Sequence, residues 1–229
     1  MPIFDKENYK ILFVHIPKTG GSSIEHWLNT QCDSMYFYTP TPPKTMKVTP
    51  QHMPKVDIDV LLNNNYRYSF AIVRNPYDRM ESEFFYRQTL ASKSNEILET
   101  KDFSKWLLNN LDELRRTPFH SDNHFREQNY FIDNSVDTYK FEDGLLNIAT
   151  QIDKRLNFQS TINLPHEKKS KREKVYWSRR ARYKFNQLFI KDFKQFNYDL
   201  IEMKKNIGDS LWDSRLFMKV LSMLSYIKR

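Results

Sequence analysis

The stretch YKILFVHIPKTGGSSIEHWL (residues 9–28) contains the pattern that decides the fold class. Residues 9–16 are an apolar run of β-branched and aromatic side chains, which predicts a buried strand. Pro17 ends that run, and the serines at positions 22 and 23 are suited to capping a following helix. The order of strand, glycine turn and helix is typical of α/β proteins.

A second unit of the same kind follows. YSFAIV (residues 68–73) predicts a buried strand, RNPY (residues 74–77) a turn, and residues 78–88 a helix. The five prolines within residues 38–54 predict a long irregular loop between the two units. Further along we predict helices at 103–116, 144–156, 185–196 and 211–228, and a strand at 136–141. This alternation predicts a single α/β domain with a central, mainly parallel sheet flanked by helices.

Composition excludes several classes of protein. The 229 residues are 39% hydrophobic and 15% aromatic, enough to bury a core, which excludes a disordered scaffold. No apolar stretch approaches the ~20 residues that cross a bilayer, and residues 1–10 lack the apolar centre of a secretion signal. The one cysteine, Cys32, excludes an internal disulfide and a cysteine-based zinc site. We therefore expect a cytoplasmic protein without a transmembrane segment.

The net charge of +8 is concentrated in one segment. KKSKREKVYWSRRARYK (residues 168–184) has nine Lys or Arg against one Glu, so the rest of the chain is neutral. Such a segment indicates an anionic partner, or else a solvated helix face. Nucleic acid would also fit, because Tyr176, Trp177 and Tyr183 could stack on bases.

The first turn has the features of an anion site. Two of the chain's four glycines are adjacent there, at Gly20 and Gly21, and glycine allows backbone N–H groups to approach a ligand closely. Lys18 adds a positive charge, and hydroxyl donors are present at Thr19, Ser22 and Ser23. In a Walker A loop the lysine follows the second glycine, whereas here it precedes the pair. The order argues against an ordinary ATPase or kinase loop.

The second turn repeats the design. Arg74 ends its strand and can bind a phosphate with its planar fork, and Ser82 lies two helical turns further on. Alternatively, Arg74 and Arg79 form surface ion pairs with Asp78 or Glu81. Two anion-binding turns on neighbouring strands imply a ligand with two separated phosphate-like groups at the carboxyl ends of the strands.

These motifs resemble those of a known family. FVHIPKTGGSS (residues 13–23) resembles the 5′-phosphosulfate loop, and FAIVRNPYDRMESEFFY (residues 70–86) the 3′-phosphate motif, of carbohydrate sulfotransferases. The similarity is to heparan sulfate 2-O- and chondroitin-type sulfotransferases and their bacterial relatives, which use 3′-phosphoadenosine 5′-phosphosulfate (PAPS). Weaker similarities at residues 139–143, 164–172 and 185–198 extend the resemblance over residues 9–200.

The resemblance implies one P-loop-like sulfotransferase domain over residues 1–229. The lack of membrane and signal segments favours a bacterial protein. It places a 5′-phosphosulfate loop at residues 15–23, a 3′-phosphate motif at 74–82 and a basic nucleotide-closing segment at 168–184. Lys18 would contact the phosphosulfate and stabilise the departing oxygen, and Arg74 with Ser82 would hold the 3′-phosphate. The 5′-phosphate would be held by Thr19, Gly20, Gly21, Ser22 and Ser23, and the nucleotide covered by Ser170, Lys171 and Arg172.

An acceptor hydroxyl needs a general base, and six histidines compete for that role. We select His52, because the resembling enzymes place a catalytic histidine in a comparable stretch between the two motifs. His124 is the second candidate and, with Gln128, is expected to line the acceptor side. Glu81 and Glu83 are less favoured. No metal is expected, since the chain has no H-E-x-x-H motif of a zinc hydrolase.

The sequence thus predicts in-line transfer of a sulfuryl group from PAPS to a hydroxyl of a carbohydrate or glycoconjugate acceptor, with 3′,5′-adenosine bisphosphate as the second product. The alternatives are a P-loop-like nucleotide kinase and a non-enzymatic module that binds nucleic acid or another polyanion through residues 168–184. The module would leave both strand–turn–helix units unexplained, so no nucleic-acid partner is expected.

Overall fold

The computed structural model describes residues 1–39, 42–94, 102–164 and 174–201. Residues Met1–Asp199 form one compact unit, and Leu200–Arg229 fall outside it. The predicted helix at 211–228 lies outside the described residues, as do Ser170, Lys171 and Arg172.

A five-stranded sheet lies at the centre of the unit. Its strands, in chain order, are β1 (Ile3–Lys6), β2 (Tyr9–Val14), β3 (Ser34–Tyr36), β4 (Tyr68–Val73) and β5 (Asp137–Lys140). Across the sheet the order is β3-β1-β2-β4-β5. β2, β4 and β5 are parallel, whereas β1 is antiparallel to both β2 and β3.

The sheet is therefore mixed, and the prediction of a mainly parallel sheet holds only for three strands. The sequence does not predict β1, because this strand has only four residues and its second half is the charged pair Asp5 and Lys6, which are only partly buried. β1 forms because it pairs with β2. A tight turn, with Glu7 at φ 51°, connects the two strands so that Ile3 lies opposite Leu12.

Six α-helices accompany the sheet within the described residues. They are α1 (Gly21–Gln31), α2 (Lys55–Leu62), α3 (Pro76–Ser94), α4 (Phe103–Arg116), α5 (Leu145–Leu156) and α6 (Arg179–Gln195). The amphipathic pattern predicted α4 with the observed bounds. α6 begins before the predicted 185, because the Ser178 side chain caps it by accepting a hydrogen bond from the Ala181 N–H.

The helices and loops bury both faces of the sheet. On one face Phe13 and Phe70 pack against Trp27 of α1 and Ile148 of α5. On the other face, side chains such as Val14 and Val73 are covered by loop residues together with Ile58, Phe131 and Phe196. The predicted α/β fold with helices flanking a central sheet is confirmed. Among the described residues, no helix is both long and apolar enough to cross a membrane.

Candidate active site

A cleft of about 750 Å³ opens at the carboxyl ends of β2 and β4. Because these strands are parallel, the turns that follow them meet at the same edge of the sheet. Nine of the residues predicted to form the site line this cleft: Lys18, Gly20, Gly21, Ser22, Ser23, His52, Arg74, Ser82 and His124. The fold thereby brings residues that are far apart in the chain, such as Lys18, Arg74 and His124, into one cleft.

The glycine turn has the backbone shape that an anion site needs. Lys18 (φ 69°) and Gly20 (φ 84°) are left-handed, and Gly20 is the N-cap of α1. The first turn of α1 has no acidic side chain, so its N–H groups and helix dipole present uncompensated positive potential to the cleft.

Gly21 serves a second purpose that the sequence did not reveal. A Cβ atom at Gly21 would lie 2.6 Å from Cε1 of His15, so only glycine lets the helix start this close to the imidazole. Thr19 faces away from the cleft: it is fully buried, and its hydroxyl donates to the carbonyl oxygen of Ile16 at 2.9 Å. Thr19 thus stabilises the glycine turn from its buried side.

Arg74 joins the two turns that are predicted to bind anions. Its guanidinium lies 4.3 Å from the ring centroid of Phe141, and Nη1 donates to the carbonyl oxygen of Lys18 at 3.2 Å. The Arg74 backbone is held by Gln128, whose amide accepts from its N–H and donates to its carbonyl, both at 2.8 Å. Gln128 is fully buried and does not line the cleft, so its observed contacts position Arg74.

Arg79 does not form the surface ion pair that the sequence allowed as an alternative. It is fully buried, and its guanidinium donates to the carbonyl oxygens of Pro17, His124 and Arg126. Glu81 accepts a hydrogen bond from Trp177 Nε1 at 2.8 Å. Arg79 therefore ties the glycine turn to the segment that contains His124.

Three of the histidines that line the cleft are each paired with a carboxylate. The pairs are His15–Glu25, His52–Asp122 and His124–Glu83. The three rings lie in a row, with centroids 5.3 Å apart between His15 and His52 and 4.9 Å apart between His52 and His124. Each carboxylate contacts Nδ1 of its imidazole. The carboxylates orient the rings, a role that the sequence alone does not reveal.

His52 has the geometry of a carboxylate-oriented general base. Its Nδ1 is 2.6 Å from Oδ2 of Asp122, which is itself held by the N–H of Thr49 at 2.6 Å and its hydroxyl at 2.8 Å. Burial lowers the pKa of His52 to about 4, helped by the neighbouring His15 and His124 and opposed by Asp122. The imidazole is therefore neutral at pH 7, and with Nδ1–H donated to Asp122 its Nε2 retains a lone pair.

His124 is oriented in the same way. Its Nδ1 is 2.8 Å from Oε2 of Glu83, whose other oxygen accepts from Nε of Arg87 at 2.6 Å. Burial alone would raise the pKa of Glu83, but His124 and Arg87 lower it to about 2. Tyr86, one turn after Ser82 on α3, stacks on His124. The i, i+4 spacing from Ser82 is the sequence signal that could have revealed Tyr86.

Lys18 extends across the cleft toward the histidines. Its Nζ lies 3.9 Å from the ring centroid of Tyr86, and that ring stacks on His124 with centroids 6.1 Å apart. The lysine ammonium and the His124 imidazole therefore both lie close to the Tyr86 ring in the cleft.

The described part of the basic segment is partly structural. Trp177 packs edge-on against Phe103 and Phe185, and Lys184 forms an ion pair with Asp112 at 3.1 Å. Trp177 is thus an anchor for the start of α6 and not a platform for bases. Tyr176 is 76% exposed.

Comparison with known families agrees with this geometry. The model of the sulfotransferase family matches residues 1–199, and the chain belongs to that family. The match covers both turns that are predicted to bind anions, and the three histidines of the cleft. Neither a curated protein nor a solved structure matches the chain.

Proposed function

We propose that this sulfotransferase transfers a sulfuryl group from PAPS to a hydroxyl of a carbohydrate or glycoconjugate acceptor. One observation carries the proposal: a single cleft joins Lys18 and the glycine turn, the Arg74 and Ser82 pair, and carboxylate-oriented histidines. The two turns would bind the phosphate groups at the two ends of the donor, and a histidine would act as the base for the acceptor hydroxyl.

The donor would bind along the line of the two turns. The 5′-phosphosulfate would lie on the N-terminus of α1, held by backbone N–H groups and Ser22. Arg74 and Ser82 would take the 3′-phosphate, and the contact between Arg74 and the Lys18 carbonyl keeps both sites in register. Ser170, Lys171 and Arg172 are proposed to cover the nucleotide.

The transfer itself follows from the positions of Lys18 and His52. Nε2 of His52 takes the proton of the acceptor hydroxyl while the hydroxyl oxygen attacks sulfur. The bond between sulfur and the bridging oxygen breaks, and the electron pair leaves on the 5′-phosphate of 3′,5′-adenosine bisphosphate. The ammonium of Lys18 stabilises that leaving oxygen, where negative charge develops. The reaction so described uses no metal ion.

The choice of acceptor class rests on the family resemblance and on the shape of the cleft, which is open and lined by hydroxyl, imidazole and tyrosine groups. His124 is the second candidate for the base, because its imidazole is oriented by Glu83 as His52 is by Asp122. Asp122 and Glu83 are proposed as positioning residues for the two rings.

The test incubates the chain with PAPS and a panel of oligosaccharides, with Mg-ATP as the matched alternative donor. We expect a mass increase of one sulfuryl group on a sugar with PAPS, and its loss in Lys18→Ala. Phosphorylated products formed from Mg-ATP would instead establish a kinase.

A further inference from the structure

Three side chains on the acceptor side of the cleft have the composition of a metal site. His52, Asp122 and His124 each offer one ligand atom, and these atoms all lie within 4.8 Å of one another. Two imidazole nitrogens and one carboxylate oxygen, with a side open to the cleft, form a donor set that suits Zn²⁺ with a free coordination position.

Neighbouring residues orient these three side chains by hydrogen bonds, as the outer shell of a metal site orients its ligands. Glu83 contacts Nδ1 of His124 at 2.8 Å, so Nε2 is the nitrogen of that ring that remains to bind an ion. Asp122 is held by both the N–H and the hydroxyl of Thr49. Carboxylate–histidine–zinc arrangements of this kind fix ligand orientation and raise ligand basicity.

The spacing of the ligand atoms allows closure on an ion with small movements. Ligands about 2.1 Å from Zn²⁺ in a tetrahedron lie about 3.4 Å apart. The widest pair, at no more than 4.8 Å, would close by about 1.4 Å at most. The 2.6 Å contact between His52 and Asp122 would open by about 0.8 Å if Nδ1 is the ligand.

We propose that His52, Asp122 and His124 bind Zn²⁺ reversibly and that the bound ion blocks sulfuryl transfer. An ion bound to Nε2 of His52 would occupy the lone pair that otherwise accepts the proton of the acceptor hydroxyl. An ion bound to Nδ1 would leave the proton of the neutral ring on Nε2, so in either case the ring could not act as the base. The blocking half of the proposal rests on the proposed function, whereas the metal site does not.

Zinc binding is tested by titration calorimetry with ZnCl₂ and by the absorption spectrum of Co²⁺ as a probe. Asp122→Asn and His124→Ala should each weaken Zn²⁺ at least tenfold. Glu83→Gln, which keeps the shape but alters the outer shell, should weaken it about 10–100-fold. His26→Ala, which removes an exposed histidine on α1, is the matched control and should leave the affinity unchanged. Thermal denaturation without metal checks that each variant is folded.

Equal affinity in wild type and a folded Asp122→Asn variant would overturn the metal site, as would a loss of affinity in His26→Ala. The blocking step is tested by assaying transfer with and without Zn²⁺ and then restoring activity with a chelator. We expect inhibition that competes with the acceptor and leaves the affinity for 3′,5′-adenosine bisphosphate unchanged. Zinc binding without inhibition would overturn the blocking step. Failure to bind the bisphosphate at all would contradict the proposed function and leave the metal site intact.

Discussion

At the scale of single residues, His52 bears the most weight in the proposed chemistry. Its replacement in His52→Ala removes the lone pair that accepts the hydroxyl proton while leaving both anion-binding turns in place. We expect kcat to fall about 10²–10⁴-fold, the usual contribution of a general base, with the affinity for the donor product unchanged. His26→Ala is the control, because that histidine is exposed on α1. Retained activity in His52→Ala, with loss in His124→Ala, would assign the base to His124.

The buried position of His52 predicts the pH dependence of the reaction. Since burial lowers its pKa to about 4 in the folded chain, the imidazole stays neutral down to about that pH. The acid limb of kcat/KM should therefore fall near pH 4, far below the ordinary histidine value of about 6.5. A pH–rate profile from 4 to 8 measures it, and a limb near 6.5 would contradict the assignment.

The same depressed pKa has a consequence for stability. The unfolded chain binds a proton on this histidine below about pH 6.5, whereas the folded chain does so only near pH 4. Stability that His52 contributes is therefore complete above 6.5 and is lost as the pH falls to 4. The free energy of unfolding, measured in urea, should fall less between pH 7 and pH 5 in His52→Ala than in wild type.

Gly21 is a residue whose role the sequence only half revealed. Substitution Gly21→Ala places Cβ against the His15 ring, which must move, so we expect destabilisation of about 1–3 kcal/mol together with weaker donor binding. The control is Gly144→Ala, where the new Cβ meets nothing within 4 Å and only the backbone (φ 87°) is strained. Gly144→Ala should cost stability without weakening donor binding. Equal donor affinity in Gly21→Ala and wild type would contradict the predicted effect.

At the scale of secondary structure, α3 holds the site together through Arg79. In Arg79→Met the carbonyl oxygens of Pro17, His124 and Arg126 lose their donor, and each buried unsatisfied group costs about 1–3 kcal/mol. We expect a loss of about 3 kcal/mol or more in the free energy of unfolding, measured in urea. Arg115→Met, at an exposed position of α4, should change it by less than about 0.5 kcal/mol. A similar small change in Arg79→Met would contradict the role of Arg79.

Elements with strong local patterns could be predicted from the sequence, and elements made by pairing could not. The apolar stripe of α4 predicted its bounds, and the runs at β2 and β4 predicted the buried strands. α2 was missed because it begins directly after the proline-rich stretch and is short, and because Lys55 and Ile58 are its only buried residues, so its sequence shows no apolar stripe. β1 and β3 exist through hydrogen bonds to their neighbours, which a local pattern does not show.

The same limit applies to the site. The anion-binding turns are contiguous motifs, so their residues could be named in advance. The partner of His52 is Asp122, 70 positions away, and that of His124 is Glu83, on a different element. Only the folded chain brings these carboxylates behind the imidazoles. Gln128 was predicted to contact the acceptor because its spacing from His124 is visible in sequence, while its burial against Arg74 is not.

At the scale of the whole molecule, the parallel strands β2 and β4 bring the two predicted anion-binding turns to one edge of the sheet. The segments around His52 and His124 line the same cleft. The central claim is that this cleft binds a nucleotide with phosphate groups at both its 3′ and 5′ positions. Arg74 is the side chain on which that claim depends, since it lines the cleft and contacts the Lys18 carbonyl.

The most direct test is thermal denaturation with 3′,5′-adenosine bisphosphate compared with 5′-AMP, in wild type and in Arg74→Ala. At about 100 times its Kd a ligand adds about 2.7 kcal/mol, which raises Tm by about 5–11 °C in a chain of this size. We predict that rise in Tm for the bisphosphate in wild type and a much smaller rise for 5′-AMP. In Arg74→Ala, the bisphosphate should no longer raise Tm above the value of the ligand-free variant. Equal shifts with both nucleotides, or an undiminished shift in Arg74→Ala, would contradict the account.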